Sequence, residues 1–234
     1  PGHDAGQMLS NAVGVVTATS GLALLLRFAD CQSILLYDPE HHALGLVHAG
    51  WRGVAQGIAI RAVEGMRAAF GTRPRALVAG LGPAIGPCCY VVGDEVAAAM
   101  GYALPDWRRV MHPLPAAPDG QNPQGDGDES GTAWRFDLPA ANAQQLASAG
   151  IVNVEQANLC TSCHNDEFYS HRASNGQTGR FAVVAVLELR PAGLHDAPGA
   201  QQPAETATRI ETGGLDSLAP PGFPSFQEML EEES

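Results

Sequence analysis

A mixed α/β fold is predicted for this 234-residue chain, long enough for one domain or two small ones, from three observations. They are a β-hairpin pattern near the start, an amphipathic helical stripe directly after it, and a strand–loop–helix alternation further on. The hairpin lies in "ADCQSILLYDPEHHALGLVHAGWRG", where apolar runs at 33–37 and 43–47 flank Asp38-Pro39-Glu40-His41. Pro and Asp are turn formers for distinct reasons, one fixing φ and the other bonding its own backbone. The stripe comprises Val54, Ile58, Ala62, Met66 and Ala69, flanked by Ala55, Ala59, Val63 and Phe70. Gly50 and Gly53 punctuate the start of this single expected helix and Gly71 closes it. His48 and Arg52 therefore sit where a strand feeds a helix N-terminus, whose N–H groups favour an anion.

The later elements follow in order. "RALVAGLGPAIGPCCYVVGDEVAAAM" reads as a strand, a glycine-rich loop and a helix opening near Gly93-Asp94. Residues 112–133 are rich in Pro, Gly and Asp and read as a loop. "FDLPAANAQQLASAG" is a helix closed by Gly150, "IVNVEQANL" holds a strand, and 181–187 form a final apolar strand. Residues 1–190 thus make the domain. Residues 191–234, rich in Pro, Ala, Gly, Gln and acid, read as a disordered tail whose last residues, "FQEMLEEES", are able to form a short helix. No internal repeat is evident.

Composition narrows the function classes. A formal charge of −12 argues against nucleic acid as a partner, because phosphate backbones are held by Lys and Arg. No apolar run approaches the roughly 18 residues of a membrane span. The opening "PGHDAGQMLSNAVG" lacks a basic segment followed by an apolar core, so no secretory signal is expected. It also lacks an initiator methionine, and residues preceding Pro1 are expected. Five cysteines, at 31, 88, 89, 160 and 163, are odd in number with one adjacent pair, which suits a reducing cytoplasm better than a disulfide framework. The oligomeric state is left open.

Cys31 and His48 carry the first chemical signal. If the turn centres between Pro39 and Glu40, Cys31 lies directly opposite His48. Such partners have Cβ atoms about 4.5–5.5 Å apart, near enough to share a metal ion or a proton. A buried thiol beside a core histidine is the other reading of the same residues.

Three further patterns resolve differently. "CTSCH" at 160–164 matches the c-type haem attachment signature, but haem attachment belongs to exported proteins. As half a structural zinc site it needs two more ligands, and Cys88-Cys89 is expected to be a poor pair, since adjacent side chains diverge in a strand. Packing near the floor of the site is the expected role. "DGDESGTAWRFD" at 126–137 mimics a calcium loop but has Asp at the twelfth position and no preceding helix, so it reads as a solvated acidic loop. "GLGPAIGPCCY" lacks the G-K-[ST] of a phosphate-binding loop; its glycines suit either a tight connection or close approach to substrate.

Taken together, "ADC", "VHAGWRG", "GPAIGPCCYVVGDEV", "FDLPAAN" and "CTSC…FYSHR…TGR" resemble, over residues 15–187, the bacterial laccase-domain family. This is the multicopper polyphenol oxidase-like family of purine nucleoside phosphorylases. The resemblance implies a layered α-β-β-α sandwich with helices outside two central mixed sheets. It implies zinc held by a His-Cys-His set, phosphorolysis of adenosine, inosine and methylthioadenosine, and adenosine deamination as a second activity. The substrates would be a small nucleoside and phosphate. Cys31 and His48 match two of the three metal ligands. The third belongs to a "QVHG" block upstream of this sequence, which His3 in "PGHDAG" does not match. Arg52 and Arg172 are the candidate phosphate-binding residues, since a guanidinium offers bidentate donors; Cys31, His48 and Arg52 form the candidate catalytic set. His171 stands in "SHR" where the family carries an aromatic residue. A Cys/His₂ zinc with an open position would activate water for attack on a purine. Two other chemistries fit part of the pattern. One is amide hydrolysis by a Cys31 thiolate with His48 as base, in peptidoglycan precursor editing. The other is copper oxidase chemistry, for which the eight histidines supply no H-x-H pair, although copper is able to occupy the zinc site.

Overall fold

The hairpin at residues 32–49 is the centre of the main sheet in the computed structural model, which describes residues 13–115, 132–188 and 208–210. The elements run β1 (Gly14–Thr17), β2 (Ala23–Phe28), β3 (Gln32–Asp38), β4 (Ala43–Ala49), α1 (Trp51–Ala55), α2 (Ile58–Phe70), β5 (Val78–Leu81) and β6 (Val91–Val92). They continue with α3 (Asp94–Ala103), β7 (Met111–Pro113), β8 (Trp134–Phe136), α4 (Leu138–Ser148), β9 (Asn153–Gln156), β10 (Phe181–Val186) and β11 (Thr208–Ile210). Six strands form one mixed sheet in the order β11-β1-β4-β3-β5-β9, antiparallel except for the parallel pair β5–β9. β10 and β2 pair as a second sheet, and β6-β8-β7 form a small third one.

The pleat of β3 and β4 divides the core. Ile34, Leu36, Val47 and Ala49 face Ile58, Ala62 and Met66 of α2 and Leu146 of α4. Leu44 and Leu46 face the other way, onto Leu24 and Ala185 of the second sheet. Helices, six-stranded sheet and two-stranded sheet are thus successive layers of the expected mixed α/β sandwich. The outer side of the second sheet exposes Leu25, Val184 and Val186.

The helical stripe is two helices rather than one. Gly57 adopts a left-handed conformation with φ +69°, which no continuous right-handed helix accommodates, so the chain turns between Ala55 and Ile58. Ile58, Ala62 and Met66 are buried as the stripe requires, whereas Ala69 is exposed where α2 runs out toward solvent. α4 begins as its sequence dictates: the Asp137 carboxylate accepts the Ala140 N–H at 3.0 Å, with Pro139 in the first turn.

Within the segment read as a disordered tail, Thr208–Ile210 pairs antiparallel with β1. Ile210 is buried in the main core, so an apolar side chain amid polar sequence finds a place at the sheet edge. The rest of 191–234, the acidic residues 126–131, most of the 112–133 loop and His3 lie outside the described residues.

Candidate functional site

The β3–β4 turn sets the register of the site. Asp38 pairs with Ala43, and Ser33 with His48, a shift of two residues from the expected pairing. The cause is local. Asp38 Oδ1 accepts the N–H groups of Glu40 at 2.9 Å and His41 at 3.2 Å, and Oδ2 accepts from the His41 ring at 2.8 Å. Burial opposes ionisation of Asp38, but the Thr72 hydroxyl and His41 outweigh it and hold the carboxyl below its usual range. With His42 at φ +51°, these contacts close a four-residue loop, 39–42, in place of the two-residue, Pro39-Glu40 turn expected. An even shift preserves the faces. His48 therefore shares its face of the sheet with Ser33, and Cys31 lies one pleat before Ser33, opposite Gly50 rather than His48.

Gly50 is required there. A Cβ at this position would stand 2.7 Å from Cys31 Sγ, so the thiol occupies the space a side chain would fill. On the same face the His48 ring stacks on Phe28, centroids 4.8 Å apart and planes at 17°. The Arg52 guanidinium lies 4.7 Å from the Trp51 ring centroid in α1. α1 has only five residues, too few for a substantial macrodipole.

Arg172 reaches the site through Asp30. Its backbone N–H donates to Asp30 Oδ2 at 2.7 Å, while its guanidinium donates to the Val91 carbonyl at 2.6 Å and lies over Tyr90 at 5.3 Å. Asp30 Oδ1 accepts the Thr161 hydroxyl at 2.7 Å, and the Asp30 carbonyl accepts the Ile85 N–H at 2.9 Å. Buried and at φ +82°, Asp30 joins three loops immediately before Cys31. In the sequence Asp30 is marked only as an acid leading a thiol between two strands, which assigns it no role.

The cysteines of "CTSCH" also differ from expectation. Cys88 and Cys89 lie in a turn, not a strand, with the N–H groups of Cys89 and Tyr90 both donating to the Gly86 carbonyl at 3.0 Å. Turning lets adjacent side chains converge. Cys163 Sγ lies 3.5 Å from Cys88 Sγ and 3.4 Å from Cys89 Sγ, and all four sulfurs of Cys88, Cys89, Cys160 and Cys163 lie within 4.8 Å of one another. Burial acts to raise the Cys160 thiol, but N–H groups from Gly86 and Cys163 and the neighbouring thiols bring it down to about 7. Burial and the surrounding sulfurs push Cys88 up. None of the five cysteines is joined in a disulfide.

A cleft of about 650 Å³ opens beside this cluster, lined by Gln32, Gly86, Cys88, Arg109, Asn158 and Cys160. Gln32 accepts from Asn142 of α4 at 2.9 Å, so the cleft is on the helix side of β3, the face opposite His48. Cleft and Cys31–His48 face are separate features.

Among the described residues, Cys31 and His48 belong to no group of three or more metal-ligating side chains in mutual reach, and no such group holds two histidines. The donor set implied by the resemblance is therefore not complete within these residues. No described helix is long and apolar enough to cross a membrane.

Residues 3–188 match the family model described as multi-copper polyphenol oxidoreductase laccase. The chain is 38% identical over 169 residues to the purine nucleoside phosphorylase YlmD of Geobacillus stearothermophilus, covering 71% of this chain and 57% of that protein. It is 33% identical over 164 residues to the purine nucleoside phosphorylase LACC1 of Homo sapiens, covering 68% of this chain and 34% of that one. The crystal structure of the Bacillus licheniformis hypothetical protein YfiH superimposes with a TM-score of 0.65 at 36% identity, covering 75% of this chain and 61% of that chain. The chain thus spans less than two thirds of the length of each of these three.

Proposed function

Because the chain belongs to the multi-copper polyphenol oxidoreductase laccase family, we infer that it is the core of a purine nucleoside phosphorylase acting on adenosine, inosine and methylthioadenosine. Adenosine deamination is its second activity. The observation that carries this reading is Cys31 and His48 sharing the second-sheet face at the β4–α1 junction, with Arg52 two residues into the next helix. The relatives' names supply the reaction class.

In phosphorolysis a phosphate oxygen attacks the anomeric carbon of the ribose. The carbon–nitrogen bond breaks, its electron pair leaves with the purine, and the base takes up a proton. Arg52 and Arg172 are the phosphate-binding cations, each with its guanidinium against an aromatic ring that fixes the plane of its donors. Phe28 stacked on His48 orients the imidazole. Cys31 and His48 would hold zinc together with a donor from outside the described residues, and bound zinc supplies an activated water for deamination. Copper is the weaker candidate metal, because none of the eight histidines forms an H-x-H pair. Five cysteines outside any disulfide suit a cytoplasmic enzyme.

The test is product analysis with adenosine and phosphate, on the chain extended upstream to include a histidine donor. Adenine and ribose 1-phosphate are expected from phosphorolysis and inosine from deamination, both falling by about 10²-fold or more in Cys31→Ala. Neither product from the extended protein would overturn the reading. Chelation separates it from thiolate hydrolysis, which needs no metal.

A further inference from the structure

We propose that Cys88, Cys89, Cys160 and Cys163 form a second metal centre, a closed four-thiolate site for one zinc ion that clamps the glycine-rich turn to the "CTSCH" loop. Four sulfurs within 4.8 Å of one another match the edges of a zinc tetrathiolate, about 3.8 Å for Zn–S bonds of about 2.3 Å. A multi-iron cluster spreads its ligands over separate iron atoms and needs wider spacing, so a single ion fits better. Thiolates select a soft or borderline cation over magnesium or calcium. With all four positions taken by protein, such a site is structural and leaves none for water or substrate.

The surroundings are built for it. Gly86 donates its N–H to Cys160 Sγ at 3.2 Å, a backbone bond that favours thiolate over thiol. A Cβ on Gly86 would stand 3.3 Å from Cys160 Cβ and 3.4 Å from Cys88 Sγ, so glycine permits the approach. Arg135 donates to the carbonyls of Pro87 at 3.1 Å and Cys88 at 3.0 Å, bringing a cation beside a site that would carry two negative charges. The loops are already in register: Ala84 bridges Cys160 in parallel, and the Thr161 N–H donates to the Ala84 carbonyl at 3.1 Å. Binding displaces the remaining thiol protons, up to four per ion. Because Gly86, Cys88 and Cys160 also line the cleft, the clamp fixes one of its walls.

The test uses the full chain, reduced and stripped of metal, titrated with cobalt(II) as a spectroscopic probe and then with zinc. One equivalent of cobalt is expected to give the intense visible absorption of a tetrahedral tetrathiolate, displaced by one equivalent of zinc. Cys163→Ser, at an exposed position whose loss leaves the core intact, should weaken uptake beyond the roughly 10–100-fold cost of losing an outer-shell partner. The double variant Cys31→Ala/His48→Ala should retain the spectrum. This readout is independent of nucleoside turnover, so it fails or succeeds separately from the proposed activity. Absence of the tetrathiolate spectrum in the reduced chain, or its persistence in Cys163→Ser, would overturn the proposal.

Discussion

Asp30 shows how one side chain can organise a site without being counted in it. Its carboxylate receives Thr161 from the cysteine loop and Arg172 from the arginine loop, and its carbonyl receives Ile85 from the glycine-rich loop. Hydrogen bonds to a charged group contribute about 1.5–3 kcal/mol each. Asp30→Ala should therefore lower unfolding free energy by about 3 kcal/mol or more, seen as a lower urea midpoint with an unchanged slope. Asp30→Asn should fall between, because its amide nitrogen would meet one of the two donors. A wild-type midpoint in Asp30→Ala would remove Asp30 from this role. Cys31 depends equally on a missing atom, the Cβ that Gly50 lacks.

At the scale of elements, the break between α1 and α2 determines where Arg52 sits. A continuous helix would carry residues 51–55 along the axis of α2; instead Gly57 turns the chain, and Val54 packs with Ile85, Val96 and Met100 in a separate core cluster. Nothing lies within 4 Å of a Cβ built on Gly57, so substitution there probes the backbone alone. Gly57→Ala should cost about 1–2 kcal/mol, the left-handed penalty for a residue with a Cβ, measured by equilibrium denaturation. Gly57→Asn should cost less, because asparagine tolerates that region. Equal stability of all three would mean the turn is relaxed some other way.

For the whole molecule, the main sheet is completed from far along the chain. Ile210 lies against the Gly14 and Gly65 backbones and belongs to the core shared by the main sheet, α2 and α4. Ile210→Ala should cost roughly 2–4 kcal/mol, the usual range for emptying a buried aliphatic site, whereas a detached tail would give no change in melting temperature. The second sheet behaves differently: one side meets Leu44 and Leu46, while Leu25, Val184 and Val186 are exposed on the other.

The sequence by itself determined the hairpin, the strands β5, β9 and β10 and the helical segments among them, because apolar period, proline and glycine act over a few neighbours; the remaining short strands and the break at Gly57 were not read from it. The hairpin, the helix closed by Gly150 and the conjunction of "VHAGWRG" with "GPAIGPCCY" were legible on those grounds. Only the tertiary structure decided what crosses between segments. The two-residue register depended on how many N–H groups one Asp38 carboxylate would accept. The convergence of four sulfurs depended on residues 87–89 turning where a strand was expected, and on two loops more than seventy residues apart meeting beside β5. Local propensity carries no information about which distant loop will arrive, since that choice is made by packing of the whole sheet.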